Sequence, residues 1–145
     1  MIRKLCIALS ASCGLAAAVL PASAADLTET IVEERVGIDC SIIGRFDRDG
    51  DGRLNIFEAK RAGKEAFKAI NNDGDWTLEY DEVSERISPA SFDRANVIAI
   101  KGVDRLEWLR LVKERFVTAA HGERTIGCEE LSTPEGRRLL AVTWY

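Results

Sequence analysis

Between Asp47 and Glu58 the chain sets an oxygen-bearing group at nearly every second position, and no other stretch constrains the fold as tightly. It reads Asp47-Arg48-Asp49-Gly50-Asp51-Gly52-Arg53-Leu54-Asn55-Ile56-Phe57-Glu58. A hard cation gathers about six to eight oxygens, and a twelve-residue loop can deliver them from alternate positions. With Asp47 as position 1, Asp47, Asp49 and Asp51 supply carboxylates at positions 1, 3 and 5. Arg53 offers its backbone carbonyl at position 7, Asn55 ligates directly or through water at 9, and Glu58 closes the sphere with both oxygens at 12. Gly52, at position 6, is expected to take the left-handed turn that folds the loop back over an ion. A solvated Asp- and Gly-rich turn would match some of these positions; here all of them are filled.

Such a loop is of the EF-hand kind, and the chain repeats it. A second loop runs from Asn71 to Glu82; a third can be laid on Asn96 to Glu107 and a fourth on Ala119 to Glu130. All four end in Glu at position 12 (Glu58, Glu82, Glu107, Glu130) and carry a branched aliphatic residue at position 8 (Leu54, Leu78, Val103, Ile126). Position 8 points into the core and pairs with its counterpart in a partner loop, so its retention argues that all four loops still serve as scaffold.

Ligand content separates the copies. Loop 71–82 keeps Asp73, Asp75, Glu79 and Glu82, with the Asn71 amide oxygen at position 1 and the Thr77 carbonyl at position 7. Its expected flaw is Trp76 at position 6, where a left-handed residue with a Cβ costs about 1–2 kcal/mol. Loop 96–107 offers Asn96, Asp104 and Glu107, but has Ile98 and Ile100 where carboxylates belong. Loop 119–130 offers Glu123 and Glu130, with Ala119, His121 and Gly127 in other ligand slots. Two metal-competent and two degenerate loops are expected.

The chain begins as an export signal does. Arg3 and Lys4 precede an Ala-rich apolar run from Leu5 to Leu20, and Ala22-Ser23-Ala24 has the small-residue pattern of a cleavage site. The alternative, an uncleaved anchor, would need a longer apolar run. Residues 1–24 are thus read as a signal peptide and 25–145 as one four-repeat domain in the periplasm. Taking Arg3 and Lys4 from the 20 basic and 24 acidic side chains leaves a charge of about −6. That balance suits cations, not nucleic acid or anionic lipid, and no membrane association is expected after cleavage. Cys6 and Cys13 leave with the signal. Cys40 and Cys128 remain, either as a disulfide in an oxidising compartment or as two buried thiols.

The connectors 59–70, 83–95 and 108–118 are each read as one helix, with Pro89 delaying or kinking the second. A further helix is expected at about Glu29 to Phe46, and a last one beginning at Thr133-Pro134-Glu135, where Thr133 can cap and Pro134 suits the first helical position. The fold class is all-α: a compact EF-hand helical bundle whose four closely spaced loops pair through short β-ladders.

With its export signal, its tightly spaced loops and the tail Glu129-Glu130-Leu131-Ser132-Thr133-Pro134-Glu135-Gly136, the chain resembles the lanmodulin family, exported EF-hand proteins of methylotrophic bacteria that bind lanthanides. The resemblance covers the mature chain. It implies a small helical bundle in which loops one and four pair, as do two and three; a Cys40–Cys128 bridge would fit the first pairing. The chain departs from the family at loop position 2, where Arg48, Asn72, Val97 and Ala120 replace a typical Pro. It also departs at position 9, where Asn55, Glu79, Asp104 and Gly127 stand in place of a favoured Asp.

The expected function is non-catalytic binding of Ca²⁺ or a trivalent lanthanide in the periplasm. The alternative is a metal-stabilised or metal-switched interaction module, with Trp108, Phe116, Trp144 and Tyr145 either forming a surface for a periplasmic protein partner or filling the core. His121, the single histidine, has no nucleophile motif or zinc-ligand spacing around it, so no enzyme is expected.

Overall fold

The computed structural model describes residues 40–98 and 101–144; the expected signal peptide and most of the helix expected before the first loop lie outside them. The described chain is mostly helical, with two small antiparallel sheets. Its elements, in order, are α1 (Ser41–Phe46), β1 (Leu54–Asn55), α2 (Ile56–Ile70), β2 (Thr77–Leu78), α3 (Tyr80–Val83), α4 (Pro89–Ala95), β3 (Val103–Asp104), α5 (Arg105–Ala119), β4 (Thr125–Ile126), α6 (Cys128–Leu131) and α7 (Pro134–Thr143).

The sheets pair loops that are distant in sequence. β1 lies against β4 with Leu54 opposite Ile126, and β2 against β3 with Leu78 opposite Val103. These are the four position-8 residues, and all are fully buried. Each contributes about 1.5–3 kcal/mol by leaving water, so every ladder is also a pair of core anchors.

Around the ladders, α2, α5 and α7 pack on one another as the body of the core. Ala59, Ala62, Ala66, Phe67 and Ile70 present the buried face of α2, at helical spacing. Gly63 sits on the same face and lets α5 approach: a Cβ there would lie 2.6 Å from Val112 Cγ2. The close approach brings the wholly buried Trp108 to Gly63, whose carbonyl accepts its indole N–H at 3.1 Å. Trp108 and Phe116 are therefore core, not partner surface, because α5 turns them inward. Trp144 is half-buried against the same core, and Tyr145 lies outside the described residues.

The second connector corrects the expectation of one helix. It splits into α3 and α4, since Pro89 has no N–H to extend a helix from Val83. Ser88 restarts the chain as a cap, its hydroxyl accepting the Ser91 amide at 3.2 Å with Pro89 in the first turn. Thr133 and Pro134 open α7 in the same manner.

Candidate metal centre

In the first loop the backbone turns through two left-handed glycines, Gly50 (φ 76°) and Gly52 (φ 75°). The turn aims amides at the position-1 carboxylate: Gly50 donates to Asp47 Oδ1 at 2.7 Å and Gly52 to Asp47 Oδ2 at 2.8 Å. The Gly52 amide, followed by that of Gly50, outweighs desolvation and holds the half-buried Asp47 carboxyl below its ordinary value, so it is charged across the neutral range. Asp51 accepts the Arg53 amide at 2.8 Å, which fixes the position-7 peptide.

Asn55 caps α2, its Oδ1 accepting the amides of Phe57 and Glu58, while its Nδ2 donates to Asp49 Oδ2 at 3.4 Å. In return the Glu58 carboxylate takes the Asn55 amide at 2.9 Å and the Arg48 amide at 2.7 Å. This reciprocal capping box keeps Glu58, 5% exposed, turned over the loop. The outcome is that carboxylate oxygens of Asp47, Asp49 and Glu58 all lie within 4.8 Å of one another. Oxygens sharing one Ca²⁺-sized ion at its usual bond lengths are separated by at most about 5 Å, so this donor set fits such an ion. Asp51 borders the group and is not one of the three that converge.

The second loop brings Asp73, Glu79 and Glu82 within the same 4.8 Å, with Asp75 outside that group. Glu82 accepts the Asn72 amide at 2.7 Å and the Glu79 amide at 3.1 Å, the same fold-back as in the first loop. Position 1 behaves differently. Asn71 Oδ1 accepts the Gly74 amide at 2.6 Å, but its Nδ2 is a donor and turns to the carbonyls of Asp75 (3.0 Å) and Thr77 (3.3 Å). The Thr77 carbonyl, expected as the position-7 ligand, thus faces an amide nitrogen.

The turn itself corrects the reading of Trp76. The left-handed residue of this loop is Gly74 (φ 72°), at position 4; Trp76 keeps a negative φ and pays no left-handed cost. Gly74 matches Gly50 of the first loop; what differs is position 6, since the single Asn71 oxygen accepts the position-4 N–H, whereas the Asp47 carboxylate has a second oxygen for the position-6 N–H. Trp76 is 90% exposed.

The eroded loops are completed by protein donors. Glu107, 3% exposed, accepts the amides of Val97 (2.8 Å), Ile98 (2.9 Å) and Asp104 (3.1 Å), so the third loop closes on its own backbone. In the fourth, Glu130 accepts the Gly127 amide at 2.7 Å and meets Arg53 of the first loop at 3.4 Å. The Gly127 amide leads, with the nearby guanidinium contributing less, in holding the Glu130 carboxyl below its ordinary value. His121 is exposed and left-handed (φ 48°) in the turn before Gly122.

Cys40 and Cys128 are joined by a disulfide, their Cα atoms 5.4 Å apart, which ties the start of α1 to the end of the fourth loop. The position-4 glycines and the Arg53 side chain were not singled out from sequence. The Gly at position 4 of both acidic loops was the available signal for the first; nothing in one sequence marks the second. No family model matches the chain, and no curated protein matches it.

Proposed function

We propose that the chain is an exported, non-catalytic cation-binding protein of the EF-hand type, similar to the lanmodulin family, whose four loops form one EF-hand bundle. Loops 47–58 and 71–82 each take one hard, oxygen-seeking cation, Ca²⁺ or a trivalent lanthanide. The convergence of Asp47, Asp49 and Glu58 within 4.8 Å carries this reading, with backbone amides already orienting all three. The residues that would hold the ion are Asp47, Asp49, Asp51, the Arg53 carbonyl and Glu58, with Asn55 acting through the cap and Asp49. In the second loop they are Asp73, Asp75, Glu79, Glu82 and the Thr77 carbonyl, once Asn71 turns its oxygen inward. A trivalent ion gains more Coulomb energy than a divalent one from four carboxylates, which favours a lanthanide at equal coordination. The signal-like first residues support a periplasmic location; among the described residues no helix is long and apolar enough to cross a membrane.

Calorimetric titration of the mature chain with Ca²⁺ and with La³⁺ tests the reading. Saturable binding of one or both is expected, with the first site's share lost in Glu58→Gln and the second site's kept; no heat with either ion would refute it. The interaction-module reading draws on Trp76 and Leu106, 90% and 72% exposed on loops that pair with each other. A partner captured from periplasmic extract only when metal is present would favour it.

A further inference from the structure

Arg53 belongs to two loops. Its carbonyl stands at position 7 of the first, but its side chain crosses to the fourth. There Nε donates to Thr125 Oγ1 at 2.8 Å, while one terminal nitrogen donates to the Thr125 carbonyl at 3.2 Å and to Glu130 Oε2 at 3.4 Å. Thr125 and Glu130 are positions 7 and 12 of the fourth loop, so the guanidinium meets the carbonyl and the carboxylate that an ion would take in an intact copy. The site has room because position 9 is Gly127. A Cβ there would lie 3.1 Å from the Arg53 side chain and 3.2 Å from Glu130 Oε2. The other loops place Asn55, Glu79 and Asp104 at that position.

We propose that the Arg53 guanidinium is the resident cation of the fourth loop, standing where a metal would stand and filling the loop without one. A planar, permanently charged fork can satisfy a carbonyl and a carboxylate together, which a compact ammonium does less well. The fourth loop is therefore complete before any ion arrives, and its ladder with β1 is set in advance. Resting on the reading of the first loop as a cation site, this makes Arg53 a positioning residue there. Anchoring its side chain across the ladder fixes the peptide whose carbonyl faces the first ion.

The test uses the mature chain with its disulfide intact, comparing wild type, Arg53→Met, Arg53→Lys, Glu130→Gln and the Arg53→Met/Glu130→Gln pair. Amide exchange in chelator reads the metal-free protein. Exchange at Leu54 and Ile126 should quicken about fivefold in Arg53→Met, the scale of a partly exposed ion pair, and recover in part in Arg53→Lys. Exchange at Leu78 and Val103 should not change. La³⁺ titration should then show the first site weakened about fivefold in Arg53→Met and the second unaltered, with the double variant no weaker than either single one. Unchanged exchange in Arg53→Met, or single effects that simply add, would overturn the proposal. If wild type binds no La³⁺, the reading of the first loop fails, and the exchange data still decide whether Arg53 fills the fourth.

Discussion

The end of the molecule that pairs loops one and four is held differently from the end that pairs two and three. At the first end the β1–β4 ladder is reinforced by the Cys40–Cys128 disulfide and by Arg53 reaching to Thr125 and Glu130. At the second the β2–β3 ladder has no covalent tie among the described residues, and Trp76 and Leu106 stand out into solvent. The position-1 residues differ in the same direction. Asp47 receives two glycine amides, whereas Asn71 receives one and spends its nitrogen on carbonyls. An acidic loop that loses its ligands still has a buried or half-buried carboxylate at position 12, and that charge needs a donor. The third loop answers with its own amides on Glu107; the fourth gives Glu130 the Gly127 amide and adds an arginine borrowed from its neighbour. A local donor closes the loop on itself, and a borrowed one binds it to its partner.

The largest expected effect on this contrast comes from the disulfide. Cys40→Ser with Cys128→Ser should cost at most about 4.5 kcal/mol in chemical unfolding, since the crosslink spans 88 positions. The β1–β4 amides should then lose the protection that sets them above β2–β3; equal protection in the intact protein would break the comparison.

Next in size is the first of the two proposed cation sites. Asp47→Asn with Glu58→Gln should lower its affinity by at least about a hundredfold, close to 2.7 kcal/mol, and leave the second site as it was. Retention of the tightest heat in calorimetry would invert the ranking of the loops. A smaller gain is expected from Asn71→Asp, which restores a charge and an acceptor at position 1. The second site should tighten about tenfold, about 1.4 kcal/mol. No change would mean that Trp76, not Asn71, limits that loop. Smallest in energy is Trp76→Phe. Affinity should stay within about twofold, as expected for an exposed side chain with no left-handed strain. Indole-sensitised Tb³⁺ emission from the second loop should nevertheless vanish, and undiminished emission would show that loop to be empty.

Much of this arrangement was legible in the residues. The spacing of position-8 aliphatics and closing glutamates located all four loops, and those aliphatics meet across the two ladders. Three acids of each of the first two loops converge, with Asp51 and Asp75 outside the groups, because local turn chemistry and capping boxes, both readable at short range, place them. The splitting of the second connector was half legible: Pro89 marked the position, but the cap at Ser88 decided the break. The strain expected at Trp76 is absent, since position 6 of the second loop leaves the left-handed region that Gly52 occupies in the first, while the position-4 turn at Gly74 matches that at Gly50. The crossing of Arg53 was not legible. At position 7 only the carbonyl has a fixed role, and the direction of the side chain is set by a glycine more than seventy residues away.

The central claim is that Asp47, Asp49 and Glu58 surround one hard cation. Anomalous diffraction from crystals grown with Tb³⁺ tests it most directly. The account predicts a peak about 2.4 Å from carboxylate oxygens of all three. Full-occupancy Tb³⁺ elsewhere, with Asp49 turned out to solvent and no peak inside the loop, would contradict it.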